Sequence, residues 1–212
     1  MLRYRQNVLF LSSVFFLLTS CLRFSYRHNG KIEAGKVQVQ PIVVPGQSQH
    51  FKAKIRVFNK RYSGLMVVKQ TAPGISHLTM ITEIGMKIFD FEMSDSAFRS
   101  TYIFEPLNKP GTKKLLEQDM KLMMLYPLFH HSSDDFKSPK AHVYILKDEI
   151  KQFYYTEYKG LIKGAWTKST LFPGQKIRYF YDDSLRAEKI TLRHKRFLRV
   201  NIELNRINKL DQ

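Results

Sequence analysis

FLRVNIELN, residues 197–205, decides the fold class. Leu198, Val200, Ile202 and Leu204 alternate with Arg199, Asn201, Glu203 and Asn205, so an extended chain here turns an apolar row one way and a polar row the other. The same period of two recurs upstream. Ile177, Tyr179 and Tyr181 alternate with Lys176, Arg178 and Phe180, and Ile190 and Leu192 alternate with Lys189, Thr191 and Arg193. Further segments of this kind cover 51–58, 64–70, 76–83, 86–93, 97–104, 141–147, 151–158 and 161–168. Ala72-Pro73-Gly74, Ser94-Asp95-Ser96 and Asp182-Asp183-Ser184 punctuate them as turns. Strands spaced this closely pair as antiparallel hairpins, because a parallel crossover needs a dozen or more residues.

One segment follows a different period. After Pro110, Leu116, Met120, Met123 and Met124 recur at i, i+4, i+7 and i+8, with Lys113, Lys114, Glu117, Gln118 and Lys121 on other faces. Pro110 suits a helix start, and Tyr126-Pro127 closes the helix because a residue before proline resists the helical region. About eleven antiparallel strands form too much sheet to stay flat. The expected architecture is therefore mainly β, a curved antiparallel sheet or half-barrel, with the helix in or over its concavity.

The N-terminus predicts an address. Arg3 and Arg5 precede the apolar run Val8–Leu18, and Leu18-Thr19-Ser20-Cys21 follows at once, the layout of a secretory signal peptide over residues 1–20. The run is shorter than the ~20 apolar residues a membrane-spanning helix needs. Leu-Thr-Ser-Cys resembles the lipobox of bacterial lipoproteins, which implies acylation of Cys21. That residue is the only cysteine in 212, so internal disulfides are excluded and the fold rests on its core. Residues 22–35, LRFSYRHNGKIEAG, read as a flexible tether, and 21–48 as the lipid-anchored lead into a domain over 49–212. By analogy with the lipoprotein class, Leu22 points to the outer membrane, with the domain facing the periplasm.

An acylated Cys, a tether, meandering strands, a mid-chain helix and a second run of strands together resemble the LolA/LolB class, the periplasmic carrier and outer-membrane receptor for lipoproteins. The local likeness runs through 51–58, Gly64-Leu65-Met66-Val67-Val68-Lys69-Gln70, and His77-Leu78-Thr79-Met80 leading into Ile84-Gly85-Met86. The resemblance implies an apolar cavity between sheet and helix that receives acyl chains. Here its lining would be Phe89, Phe91, Leu116, Met120, Met123 and Met124. It also implies a membrane-delivery loop, which by strand order is Pro73-Gly74-Ile75. Lys36–Gln49, with Pro41, Pro45 and Gly46, lacks the helix that the class carries before its first long strand.

Charge narrows the partners. The chain carries +17, and removing Arg3 and Arg5 with residues 1–20 leaves two less, +15. For an exported chain the anionic partner at hand is the membrane rather than nucleic acid. His130-His131-Ser132-Ser133-Asp134-Asp135 is the segment richest in acid–base groups, and a hydrolase would use His131 with Asp134 or Asp135. No HExxH, GxSxG, GxxxxGK[ST] or GxGxxG pattern supports catalysis, and neither a metal nor a cofactor is expected. The expected function is that of a monomeric, membrane-anchored lipoprotein binding a lipid or a lipidated protein. The alternative is an accessory envelope lipoprotein that docks onto a protein complex through its basic sheet face, with Arg178, Lys189 and Arg193 as contacts.

Overall fold

The computed structural model describes residues 27–32, 42, 46–94, 97–126, 133–137, 142–147, 151–169, 174–194 and 200–207. Its first strand, β1 (Arg27–Ile32), stands apart in sequence from a long meander: β2 (Ser48–Val57), β3 (Lys60–Ala72), β4 (Ile75–Thr82), β5 (Lys87–Met93) and β6 (Phe98–Ile103). A 3-10 turn (Glu105–Leu107) and the helix α1 (Pro110–Met123) come next. The second meander is β7 (Ser133–Lys137), β8 (His142–Lys147), β9 (Lys151–Tyr158), β10 (Leu161–Ser169), β11 (Gln175–Tyr181), β12 (Ala187–His194) and β13 (Val200–Arg206). All the pairings are antiparallel, in one sheet of order β1-β7-β8-β9-β10-β11-β12-β13-β2-β3-β4-β5-β6.

That order explains the helix. The two meanders join through β13 and β2, so β6 ends at one edge and β7 begins next to the other, eleven strand spacings away. Flat, that is roughly 50 Å at 4.7–4.9 Å per spacing, whereas a helix of 14 residues spans only roughly 21 Å. A strongly curled sheet shortens the path, and α1 runs inside the curl, where its apolar face is buried.

The alternation read from the sequence sets the inner wall. Across neighbouring strands Tyr155, Ala165, Ile177, Leu192, Ile202 and Ile55 stand directly opposite one another in turn, all at most 2 % exposed. A second row runs Phe51, Met66, Met80 and Phe89, each fully buried. Gly64 belongs to this wall at a close approach. A Cβ there would lie 1.9 Å from the Ile81 carbonyl oxygen, so no side chain fits between β3 and β4.

The strand count departs from the expected eleven or so. Among the described residues thirteen are present, and the additions are β1, within the segment read as a tether, and β7, within the segment read as a polar loop. They pair with each other, Lys31 opposite Asp134 and Ile32 opposite Ser133, with a bulge at Gly30, where φ is 109°. Neither strand has an apolar stripe long enough to register as a period of two, and each is stabilised by the ladder its neighbour supplies. Ile42, also from the supposed tether, is buried in the core. The last strand, expected to begin at Phe197, is described from Val200.

Candidate functional site

α1 turns Thr112, Leu116, Asp119, Met120, Leu122 and Met123 inward. Pro110 starts it at a position where its missing N–H costs nothing. The turn after it is left-handed at Leu125, with φ 60°, and brings Met124, Leu125 and Tyr126 into the core. The residues expected to line a cavity do come together here. Phe89, Phe91, Met120 and Met123 are fully buried, Leu116 is 1 % and Met124 4 % exposed, and the Phe89 and Phe91 rings stack at 4.5 Å. All six belong to one buried core cluster, while the two depressions described on the protein lie on the opposite face of the sheet.

Polar groups fasten the helix at two places. In mid-helix Asp119 projects into the apolar layer, a position where an unpaired carboxylate would be very unfavourable. His194 Nε2 lies 2.9 Å from both of its oxygens, and Gln175 Nε2 donates to Oδ1 at 2.7 Å. Gln175 and His194 are directly opposite across β11 and β12. The Thr167 hydroxyl on β10 completes the set, accepting from the Gln175 backbone N–H at 2.9 Å and donating to its Oε1 at 3.2 Å. Nε2 is the ring nitrogen that faces the carboxylate, and among the described residues His194 Nδ1 has no partner.

At the C-terminal end the last carbonyls lack intrahelical donors. The Tyr179 hydroxyl reaches those of Leu122 and Met123, at 3.2 Å each. Tyr126 reaches the Met93 carbonyl at 3.0 Å and also donates to the Gly74 carbonyl. Burial pushes the phenol of Tyr179 well above its ordinary range, so it stays a donor.

The tip Pro73-Gly74, expected as a membrane-delivery loop, is a two-residue hairpin turn with φ 73° at Gly74. Ile75 is the first residue of β4, opposite Ala72. The Gly74 carbonyl at this tip accepts from the hydroxyl of Tyr126, three residues beyond the end of α1. Cys21, the signal segment and His131 lie outside the described residues. Asp134 and Asp135 sit on β7, where Asp135 is 8 % exposed and accepts from Asn29 at 3.3 Å. His142 stands 3.9 Å from both Asp135 and Glu157. Tyr144 beside them is pushed up to about 12, by burial first and then by those two carboxylates. Among the described residues no three His, Cys, Asp or Glu side chains are placed to share a metal ion.

Sequence reading missed the Asp119–His194–Gln175 cluster. Its signal was available: Asp119 falls three residues after Leu116, inside the apolar stripe, where a charge calls for a partner.

No protein-family model matches the chain, and no curated protein matches it. Among solved structures it is similar to the LolA superfamily protein NE2245 from Nitrosomonas europaea, at 9% identity and a TM-score of 0.47, over 84% of this chain and 92% of that one.

Proposed function

We propose that this protein is a lipid-anchored, periplasm-facing lipoprotein of the outer membrane that takes an acyl chain, free or attached to a protein, between the sheet's apolar wall and α1. Lipoprotein localisation is the setting in which such binding would serve. The observation that carries the reading is the way the wall is covered. Among the described residues one α-helix covers it, its buried face is largely methionine and leucine, and it is held by two polar fastenings. Methionine is unbranched and polarisable, so it repacks around a guest more readily than β-branched side chains do. Each acyl methylene buried contributes ~0.8 kcal/mol, so a chain that displaces part of the helix contact needs no polar chemistry to bind.

The test is a titration of the chain, purified from membranes, with a fluorescent fatty acid, alongside native mass spectrometry without lipid stripping. Saturable binding is expected, together with an acyl mass on Cys21. Met120→Trp, which fills the space the guest would use, weakens binding about tenfold, the worth of losing one to two buried methylenes. Non-saturable uptake that Met120→Trp leaves unchanged refutes acyl binding, and an unmodified Cys21 refutes the anchor separately.

A further inference from the structure

The outer face of the sheet carries a second surface. Its registers align outward side chains into rows across the strands. Lys176, Arg193, Asn201, Arg56 and Arg61 follow one another as direct cross-strand partners from β11 to β3. The adjacent row contains Arg178, Thr191, Glu203, Lys54 and Ser63. Two depressions are sunk into these rows, of about 500 Å³ over β12, β13, β2 and β3, and of about 520 Å³ over β9 to β11. Small residues make their floors: Ser63 and Thr191 in the first, Thr156 and Gly164 in the second. Guanidinium and ammonium groups make their walls, with Arg56, Arg61 and Arg193 around the first and Lys163, Lys176 and Arg178 around the second.

This surface has little negative charge of its own. The carboxylate in the first depression, Glu203, already bonds Lys189 at 2.9 Å. The hydrogen bonds from Lys189 and Asn205 hold that carboxyl below its usual range. At the other end, Trp166 lies in the second depression with its ring stacked on Tyr154, 5.1 Å apart and 4° from parallel, and Phe180 is 46 % exposed beside it. Rows of cations bordered by outward aromatic rings have the composition of a surface that meets the polar layer of a membrane. Arginine forks match phosphodiester oxygens two at a time, which an ammonium does not.

We infer that the outer face of β9–β13, β2 and β3 lies against an anionic bilayer, with phosphodiester headgroups seated in its two depressions. The inference rests on the proposed anchoring only for the nearness of a bilayer. It turns the helix-covered side of the sheet away from the membrane, toward whatever arrives from the aqueous phase.

The test is lysine acetylation footprinting of the full-length acylated protein, read by mass spectrometry. It compares phosphatidylcholine vesicles with vesicles in which a third of the lipid is phosphatidylglycerol. Lys54 and Lys176 are expected to react about fivefold more slowly on the anionic vesicles, the factor that one cation contributes near such a surface. Lys109 and Lys114, at the start of α1, keep their rates, and high salt abolishes the difference. A chain carrying Arg56→Glu, Arg178→Glu and Arg193→Glu loses the protection while still floating with neutral vesicles. Equal rates on both vesicles, or equal slowing of Lys109 and Lys114, overturns the inference. So does stronger protection of Lys54 and Lys176 by a single-stranded oligonucleotide, which would make nucleic acid the partner. Failure to float with neutral vesicles refutes the anchor alone, because slowing of Lys54 and Lys176 on the anionic vesicles still decides the outer face.

Discussion

Asp119 and His194, 75 residues apart in sequence, meet in the core with His194 Nε2 at 2.9 Å from each carboxylate oxygen. Their side chains are 0 % and 1 % exposed. The pair holds α1 to β12 within the buried layer, where Gln175 also bonds Asp119, so its value is conditional on both partners being present.

Removing one partner alone strands the other. His194→Leu is expected to lower the unfolding free energy by about 3–5 kcal/mol, because Asp119 then loses its main counterpart in a dry environment. The double replacement Asp119→Leu, His194→Leu should cost clearly less than the sum of the singles. Urea unfolding of the four chains measures this, and strict additivity would contradict the pairing.

Tyr179→Phe deletes the hydroxyl that faces the carbonyls of Leu122 and Met123 and leaves the ring in place. The expected loss is about 1–3 kcal/mol, the cost of leaving buried acceptors unpaired. Amide exchange should accelerate chiefly over the last turn of α1, and exchange that rises equally in β2 and β3 would argue against a local fastening.

Gly64→Ala places a methyl group against the Ile81 carbonyl. Backbone cannot retreat as a side-chain tip can, so the strand pair must shift. A destabilisation of about 1–3 kcal/mol is expected. Gly111→Ala, where nothing lies within 4 Å of the added carbon, serves as the control and should leave the midpoint unchanged or slightly raised.

Stability at low pH should track Asp90. Burial opposes its ionisation, but the hydrogen bond from Lys87 at 2.9 Å and the charges of Lys87 and His77 outweigh it and hold the carboxyl below the ordinary range. A depressed folded value contributes stability above the unfolded value of ~3.9, and that contribution is lost as pH falls through the folded value. Asp90→Asn should therefore be less stable than the native chain at neutral pH and converge with it below about pH 4. Urea midpoints across the acid range check this; a gap that stays constant would exclude Asp90 as the cause.

The alkaline limb belongs to the tyrosines. Burial raises Tyr155, Tyr179 and Tyr181, and raises Tyr144 to about 12. Raised folded values contribute stability below the ordinary phenol value of ~10, and that contribution is lost as pH climbs through the folded values. Tyrosinate absorbance from these four should appear together with the loss of β circular dichroism, as one cooperative event. Titration of all tyrosines near their ordinary value, with the sheet intact, would contradict their burial.

Much of the sheet was legible because alternation is a local signal. Leu204 opposes Ala53 and Ile190, and each of the three carried its own strand's period of two. β1 and β7 were not legible, since strands such as RHNGKI and SDDFK have no stripe to read and exist only because a partner edge is there. The helix stripe was visible in Leu116, Met120 and Met123, but not the reason Asp119 lies within it.

Taken alone, the sequence determined the class of architecture, the direction in which the strands with a period of two face, and the basic character of the outer rows, all of which follow from spacing along the chain. Only the tertiary structure decided that the edges of the two meanders are bridged by α1 across the curl, that Asp119 has His194 and Gln175 to meet, and that the cations of β11, β12, β2 and β3 line up. Those are facts of register between segments far apart in the chain. A period of two says which way a side chain points but not which strand lies beside it.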